Sequence, residues 1–201
     1  MRESLKNMKL NEKTFIEEVR FVIMDVETTG LDPKNDRICE ISMNIIKDFK
    51  EVKGLTTLVN PGVSIPYDVS KIHGITDSMV LKSPKFGDIV NQILDIIYDS
   101  VLVGHNIDFD YNFLKSEFER IGYSIPDIYV IDTLDLSRRF CGGLPNYKLE
   151  TVARSMNLFS KDWHRAENDV IMTSRIFENI LNILVKENGV MTLEDLLKMV
   201  Q

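Results

Sequence analysis

Apolar residues form strand-sized runs in the N-terminal third of the chain. The run VRFVIMDV at 19–26 is rich in β-branched residues and is followed by a turn containing glycine and proline, so it predicts a central strand. Apolar residues at near-alternate positions in 37–48 predict a second strand, and the short run at 55–59 predicts a third. Three successive strands indicate a meander.

The middle of the chain alternates between helical and strand-like patterns. Segments 86–98 and 109–121 carry apolar residues at helical spacing and predict amphipathic helices. The short apolar runs at 100–104 and 128–131 predict two more strands, each following or preceding one of these helices. This alternation is typical of an α/β fold.

The C-terminal part of the chain predicts helices. Asp132 has the position of an N-cap, and the helix that it begins ends near Gly142-Gly143. A long helix is expected at about 166–186, separated by Asn188-Gly189 from a short helix at about 193–199. The short helix is too short for independent stability, so it packs either on the domain or on a partner.

A block of strands followed by alternating strands and helices predicts an α/β fold with one mixed sheet. With 201 residues, of which 44% are hydrophobic, a single core is expected. We expect residues 1–18 to be a lead-in segment, 19–186 the main domain and 187–201 a helical extension. Without an apolar stretch of membrane-spanning length, a secretory leader or a CxxC spacing, the chain is expected to be a reduced, cytoplasmic protein.

Two acids follow the first predicted strand. Asp25 and Glu27 are two residues apart, so both side chains are expected on the same face. Two carboxylates this close are costly unless a proton or a cation lies between them, and oxygen ligands suit Mg²⁺ or Mn²⁺. The alternative is that Asp25 only ends the strand and Glu27 is solvated. The buried strand before them and the small-residue turn at 28–30 favour a site.

Two further segments place acids near helix starts. In GHNIDFD, at 104–110, Asp108 suits an N-cap and Asp110 the first helical turn, but spacing does not decide between them, and capping alone accounts for the segment. In HRAEND, His164 precedes a helix and Asp169 lies in its first turn, an arrangement that allows a metal ligand beside a proton acceptor. A surface histidine and a solvated acid are the alternative there.

The net charge of −7 argues against a broad basic surface that holds nucleic acid. A site built from carboxylates changes this expectation, because the cations that it binds would meet phosphate in place of lysines. Any affinity for nucleic acid should then be modest and metal-dependent.

Together these segments resemble the DEDDh exonucleases, a family that includes the proofreading epsilon subunit of bacterial DNA polymerase III and the exonuclease domain of some C-family replicative polymerases. The resemblance covers about residues 19–185 and rests on FVIMDVETTGL, GHNIDFDYNFL and HRAENDV, with weaker support from VNPGVSIPYDVSKIHGIT, VIDTLDLSRR and NYKLETVA. It implies a ribonuclease H-like fold, a five-stranded mixed sheet flanked by helices on both faces. The family pattern matches Asp110, which leaves Asp108 as a cap or a bystander.

The resemblance also implies the roles of site residues. Two Mg²⁺ or Mn²⁺ ions would be held by four acids and stabilise both the attacking and the leaving oxygen, while a histidine deprotonates the attacking water. The implied metal ligands are Asp25, Glu27, Asp110 and Asp169, and the implied base is His164. The Thr28 backbone and Leu31 would lie near the terminal nucleotide and His73 beside its phosphate or base, although a histidine bonded to its own backbone is an equal alternative.

The activity implied by the resemblance is removal of nucleotide monophosphates from a single-stranded or frayed 3′ end of DNA, in one setting as the proofreading partner of a replicative DNA polymerase subunit. RNA is an alternative substrate, because nothing in the motifs discriminates the sugar. A non-catalytic binding or docking module is an alternative of another class, disfavoured by the intact acids and His164. Two departures from the family are Ile107 in place of a small residue and a short C-terminal extension.

Overall fold

The computed structural model describes residues 10–158 and 165–200. These ranges contain a strand meander followed by alternating helices and strands. The strands are β1 (Phe21–Thr28), β2 (Ile38–Lys47), β3 (Lys50–Leu58), β4 (Val101–Gly104) and β5 (Tyr129–Asp132). The helices are α1 (Tyr67–His73), α2 (Asp77–Val80), α3 (Phe86–Ile97), α4 (Ile107–Arg120), α5 (Thr133–Phe140), α6 (Leu149–Ser155), α7 (Ala166–Asn188) and α8 (Leu193–Val200).

One mixed sheet with the strand order β3-β2-β1-β4-β5 forms the centre of the molecule. β1, β2 and β3 are antiparallel neighbours, as expected for a meander, and β4 and β5 run parallel to β1. The predicted five-stranded mixed sheet is therefore confirmed.

Helices cover both faces of this sheet, because side chains alternate along its central strand. Phe21 and Ile23 of β1 belong to the core shared with α5, α6, α7 and α8, whereas Val22 and Met24 belong to the core shared with α3 and α4. An edge-on ring contact of 4.9 Å between the centroids of Phe21 and Phe177 joins β1 to α7. The predicted flanking of the sheet on both faces is confirmed.

Short elements depart from the predicted pattern. β3 begins at Lys50, five residues before the predicted start, because Lys50 and Glu51 are polar and exposed and so lack an apolar signature. A tight turn with Asp48 and Phe49 both at positive φ joins it to β2. The helices α1, α2 and α6 were not predicted, since none exceeds seven residues and none displays a long apolar period.

The chain before β1 and the C-terminal helix pack together on the main core. Ile16 N donates to the Met191 carbonyl at 2.9 Å, and Leu193 and Leu196 of α8 are fully buried in the core that also holds β1. α8 therefore packs on the domain, which decides between the two alternatives for this helix. No helix in the described ranges is long and apolar enough to cross a membrane.

The position of β4 leaves one end of β1 open. β4 pairs with β1 only from Phe21 to Ile23, after which β4 ends at Gly104 and the chain turns into α4. The remaining residues of β1 extend past that turn toward Thr28. Side chains at the starts of helices on both sides of the sheet can therefore reach this end of β1.

Candidate active site

Three carboxylates meet at this open end of β1. Asp25 and Glu27 of β1 and Asp169 of α7 each offer an oxygen, and these oxygens all lie within 4.8 Å of one another. Asp25 and Glu27 are partly buried, and Asp169 is only 8% exposed. Oxygen donors alone, at this spacing, fit a hard divalent cation such as Mg²⁺ or Mn²⁺.

The strand period and the course of α7 explain this grouping. Asp25 lies opposite Ser42 and Glu27 opposite Glu40 in the β1–β2 ladder, so both acids are on the same face of the sheet. α7 packs on β1 and β2 across this face and has Asp169 in its first turn. The apolar stripe that buries α7 therefore also sets the position of Asp169 above the two strand acids.

Asp110 approaches the group from the opposite face. It is buried in the first turn of α4, and its Oδ1 accepts a hydrogen bond of 2.9 Å from the backbone N–H of Val26. This N–H lies in the part of β1 that extends beyond β4, where the carboxylate replaces a missing strand partner. The charge of Asp110 raises the pKa of Asp25, so the two carboxylates interact across the strand end.

The structure decides between the two alternatives left for Asp108, a helix cap or a bystander. α4 begins at Ile107, and its N-cap position is Asn106, which adopts the left-handed conformation. The Asn106 N–H donates to Asp132 Oδ1 at 2.9 Å, so the chain turns into the helix two residues earlier than an Asp108 cap requires. Asp108 lies exposed in the first turn and is a bystander.

Mutual repulsion and burial make these carboxyl groups hard to ionise. Burial raises the pKa of Asp25 well above its usual range, and the neighbouring carboxylates raise it further. Burial also raises the pKa of Glu27 to about 8, again with contributions from nearby acids. For Asp110, burial outweighs the hydrogen bonds from Val26 N and from its own backbone N–H, and its pKa is about 8. A bound divalent cation would lower all three pKa values, because it favours the ionised carboxylates. A cluster of this kind therefore suits a metal ion.

An ion pair that the sequence did not reveal lies beside the cluster. Glu40 of β2 is only 2% exposed, and its Oε1 is 2.7 Å from Nη2 of Arg165, directly before α7. The available signal was a lone acid in an otherwise apolar strand, ICEISM, but the identity of its partner depends on the tertiary fold.

His164 lies outside the described residues, and its role as a base stays a prediction. Of the predicted substrate contacts, Leu31 is 84% exposed, which leaves its side chain available to a ligand. Thr28 is buried, and its hydroxyl donates to the Gly30 carbonyl at 2.6 Å, so only its backbone is a candidate contact.

His73 is the last residue of α1 and is buried, with 4% exposed. Its Nδ1 accepts a hydrogen bond of 3.0 Å from the backbone N–H of Ile75, which is the local backbone contact that the sequence left as an alternative. Burial lowers the pKa of this imidazole, opposed by the backbone of Thr28. His73 is thus a buried, neutral group close to the backbone of Thr28. Its contact with substrate stays a prediction.

Comparison with known proteins places this geometry in a family. Residues 22–177 match the model of the family described as exonuclease. The chain is 37% identical over 179 residues to a PolC-type DNA polymerase III of Caldanaerobacter subterraneus subsp. tengcongensis, covering 89% of the chain and 13% of that protein. It is 35% identical over 166 residues to the 3′-5′ exonuclease DinG of Bacillus subtilis, covering 82% of the chain and 18% of that protein. Most of the length of these two relatives thus has no counterpart in the chain.

A third relative is similar in length. The DNA polymerase III subunit epsilon of Treponema pallidum is 35% identical over 175 residues, which are 86% of the chain and 81% of that subunit. Among solved structures, E. coli exonuclease I in complex with a dT13 oligonucleotide has a TM-score of 0.76 at 18% identity, over 86% of the chain and 43% of that protein, and so shares the fold. The matched segment contains all but the first residue of β1, the whole of α4 and the first turn of α7, with every described carboxylate of the cluster, and the chain belongs to the exonuclease family.

Proposed function

We propose that this chain is a metal-dependent 3′→5′ exonuclease that acts on DNA. The observation that carries the proposal is the convergence of Asp25, Glu27 and Asp169 within 4.8 Å, with Asp110 bonded at 2.9 Å to the backbone N–H of Val26 between the two strand acids. Membership of the exonuclease family and the likeness to a relative named 3′-5′ exonuclease support the direction of cleavage.

The proposed metal ligands are Asp25, Glu27, Asp110 and Asp169, which would hold two Mg²⁺ or Mn²⁺ ions. When bound, such a pair stabilises the charge on the attacking and leaving oxygens of an in-line displacement at phosphorus. The acids come from rigid elements, β1, α4 and α7, so little reorganisation is needed as charge develops.

The remaining steps belong to the chain's own side chains. His164 accepts a proton from the attacking water, because the unperturbed pKa of imidazole, about 6.5, suits proton transfer near neutral pH. The water oxygen bonds to phosphorus as the bond to the 3′ oxygen of the preceding nucleotide breaks. That oxygen takes a proton from solvent to give a 3′ hydroxyl on the shortened strand, and a nucleoside monophosphate leaves. The exposed Leu31 packs on the terminal base, and the Thr28 backbone contacts the terminal nucleotide.

Single-stranded or frayed 3′ ends are the proposed substrate. The acids lie at the end of β1, between the starts of α4 and α7, and we propose that this site accepts the 3′ end of one nucleic-acid strand. The likeness to an epsilon subunit over 81% of its length supports a setting beside a replicative DNA polymerase subunit. The proposal includes a cytoplasmic location, supported by the free thiols of Cys39 and Cys141.

Labelled oligonucleotides test the proposal. The protein is incubated with 5′-labelled single-stranded DNA or RNA of the same sequence and with Mg²⁺, Mn²⁺ or EDTA, and product lengths are followed over time. We expect DNA products that shorten from the 3′ end with either metal and no cleavage in EDTA. Faster cleavage of RNA would change the substrate, and absence of cleavage under all metal conditions would refute the activity.

A further inference from the structure

An ion pair between the buried Glu40 and the partly exposed Arg165 connects β2 to the start of α7. Both oxygens of the Glu40 carboxylate are used by one guanidinium: Arg165 Nη2 donates to Oε1 at 2.7 Å and Nε donates to Oε2 at 3.1 Å. A two-point contact of this kind fixes orientation as well as distance. The hydrogen bonds with Glu40 raise the pKa of the Arg165 guanidinium, which therefore stays charged.

The same carboxylate also completes the helix that follows. The N-cap residue of α7 is Arg165, whose own side chain provides no capping hydrogen bond. Instead, the backbone N–H of Ala166, the first residue of the helix, donates to Glu40 Oε2 at 3.0 Å. Glu40 thus supplies from a strand the acceptor that a capping side chain normally provides at a helix start.

Arg165 in turn is hydrogen-bonded to the first turn of α7, which contains Asp169. Its carbonyl accepts the backbone N–H of Asp169 at 3.0 Å and that of Asn168 at 2.9 Å. A continuous path of hydrogen bonds therefore runs from β2 through Glu40 and Arg165 to the backbone of Asp169. A shift of the ion pair would move Asp169 relative to the acids of β1.

The location of Glu40 makes its ionised carboxylate energetically unfavourable, because the group is buried and close to other acids. Glu40 lies opposite Glu27 in the ladder, and its charge raises the pKa of Glu27, whereas the charge of Arg165 lowers it. Loss of hydration at a carboxylate as buried as that of Glu40 offsets much of its attraction to the partly exposed Arg165, so the ion pair is weak support for a purely stabilising role. What it provides here is one defined geometry between β2 and α7.

We propose that Glu40 and Arg165 are positioning residues of the nuclease centre, which set the distance of Asp169 from Asp25 and Glu27. His164 is bonded in the chain to Arg165, so the same pair also anchors the main chain one residue after the proposed base. The inference rests on the proposed function and deepens it, because neither residue contacts the reacting atoms in its assigned role.

The test uses Glu40→Gln and Arg165→Gln with two separate measurements. Calorimetry measures Mn²⁺ binding without substrate, and steady-state cleavage of a single-stranded DNA oligonucleotide gives kcat and KM. Loss of residues that orient metal ligands typically weakens metal affinity or activity by about 10- to 100-fold, so we expect weaker Mn²⁺ binding and lower kcat in that range. We expect KM to change by no more than about twofold, because the substrate contacts are untouched.

Glu117→Gln is the matched control. Glu117 is also a buried glutamate: its Oε1 accepts the backbone N–H of Ile38 at 3.3 Å and pairs with Arg120 at 2.9 Å, but it connects α4 to the start of β2 and not to α7. This control should lose thermal stability to a similar extent while it retains Mn²⁺ affinity and kcat.

Three outcomes would overturn the inference: wild-type Mn²⁺ affinity and kcat in both variants, equal losses in the Glu117→Gln control, or a double variant whose losses are the product of the single ones. Arg165 is partly exposed, so Arg165→Gln gives a folded variant even if Glu40→Gln does not fold. A wild-type protein that binds Mn²⁺ but cleaves nothing would refute the proposed function alone, because the affinity measurement still tests the positioning role.

Discussion

At the scale of single residues, the unusual feature of this molecule is a set of carboxyl groups that oppose each other's ionisation. Asp25 is at the centre of the set, between an acid on each side of the sheet, and its pKa is raised well above the usual range. Such an arrangement stabilises the folded chain little in the absence of a cation. Under the proposed function, metal binding requires the ionised carboxylate of Asp25, whereas stability without a metal does not.

The variant Asp25→Asn separates the effect of this carboxylate on metal binding from its effect on stability. The amide keeps the volume but removes a ligand charge, so we expect loss of Mn²⁺ binding and at least about a 100-fold fall in cleavage rate. The metal-free variant should also melt at a higher temperature than metal-free wild type at pH 8, because burial of the neutral amide requires neither the binding of a proton nor a charge beside the other acids. Asp108→Asn, at an exposed position, is the control and should change neither property. Undiminished cleavage by Asp25→Asn would contradict its place among the ligands.

The raised pKa values also predict how stability depends on pH. Glu27 and Asp110 have pKa values of about 8 in the folded protein, against 4.5 and 3.8 ordinarily. Between these limits the folded state holds protons that the unfolded state has lost, so stability must fall as pH rises. The buried His73 and the partly buried His105 have lowered pKa values and act in the opposite sense up to about pH 6.5.

Thermal melts from pH 6.5 to 8 therefore isolate the carboxyl groups. In EDTA we expect the melting temperature to fall across this interval, and with Mg²⁺ present we expect a smaller fall or none, because the cation favours the ionised forms. Glu27→Gln should reduce the slope in EDTA. A melting temperature that rises with pH in EDTA would contradict the pKa assignments.

At the scale of elements, the junction between β5 and α5 fixes the start of α4. Asp132 Oδ1 accepts from Leu134 N at 2.8 Å, which caps α5 as predicted, and also from Asn106 N at 2.9 Å, which holds the turn into α4. One oxygen thus connects the starts of two helices, one of which carries Asp110.

Asp132→Ala should lower the free energy of unfolding by about 1–2 kcal/mol, the usual cost of a lost N-cap, and more if the Asn106 turn loosens. Urea denaturation measures the change. Asp132→Asn keeps the acceptor oxygen and should lose only a few tenths of that amount. Equal losses in the two variants would show that charge, and not the hydrogen bonds, is what this position contributes.

A helix or strand can be predicted from the sequence when it is long enough to show a repeating apolar pattern. The strand β1, the helix α3 and the helix α7 have long apolar periods, and their sequence patterns predict them to within about two residues. The helix α6 has seven residues, and its stability comes from contact with α7. Local sequence contains no record of such a contact, so helices of this kind cannot be predicted from periodicity.

The same distinction applies to the candidate site. Asp25 and Glu27 were expected on one face because the strand period requires it. The approach of Asp110 from the opposite face depends on where β4 stops, and the pairing of Glu40 with Arg165 depends on how α7 crosses the sheet. Both are properties of the tertiary arrangement.

At the scale of the whole molecule, the two ends of the described chain are part of one core. Leu193 and Leu196 of α8 are fully buried with residues of β1, and the predicted division at residues 18 and 186 remains a prediction about domain boundaries. Leu196→Ala should destabilise the whole protein by about 2–5 kcal/mol in one cooperative transition. The exposed Met191→Ala is the control, and a separate early transition in Leu196→Ala would show that α8 unfolds independently.

The order in which the centre receives its ligands has a consequence for biosynthesis. Two acids are present after the first 27 residues, a third after 110 and the fourth only after 169, and the helix that carries the fourth also supplies much of the core beneath the sheet. A ribosome-bound chain that has not yet exposed α7 therefore has an incomplete set of ligands and an open sheet face. Under the proposed function, this domain would therefore cleave nucleic acid only once α7 has packed on the sheet, without any inhibitor.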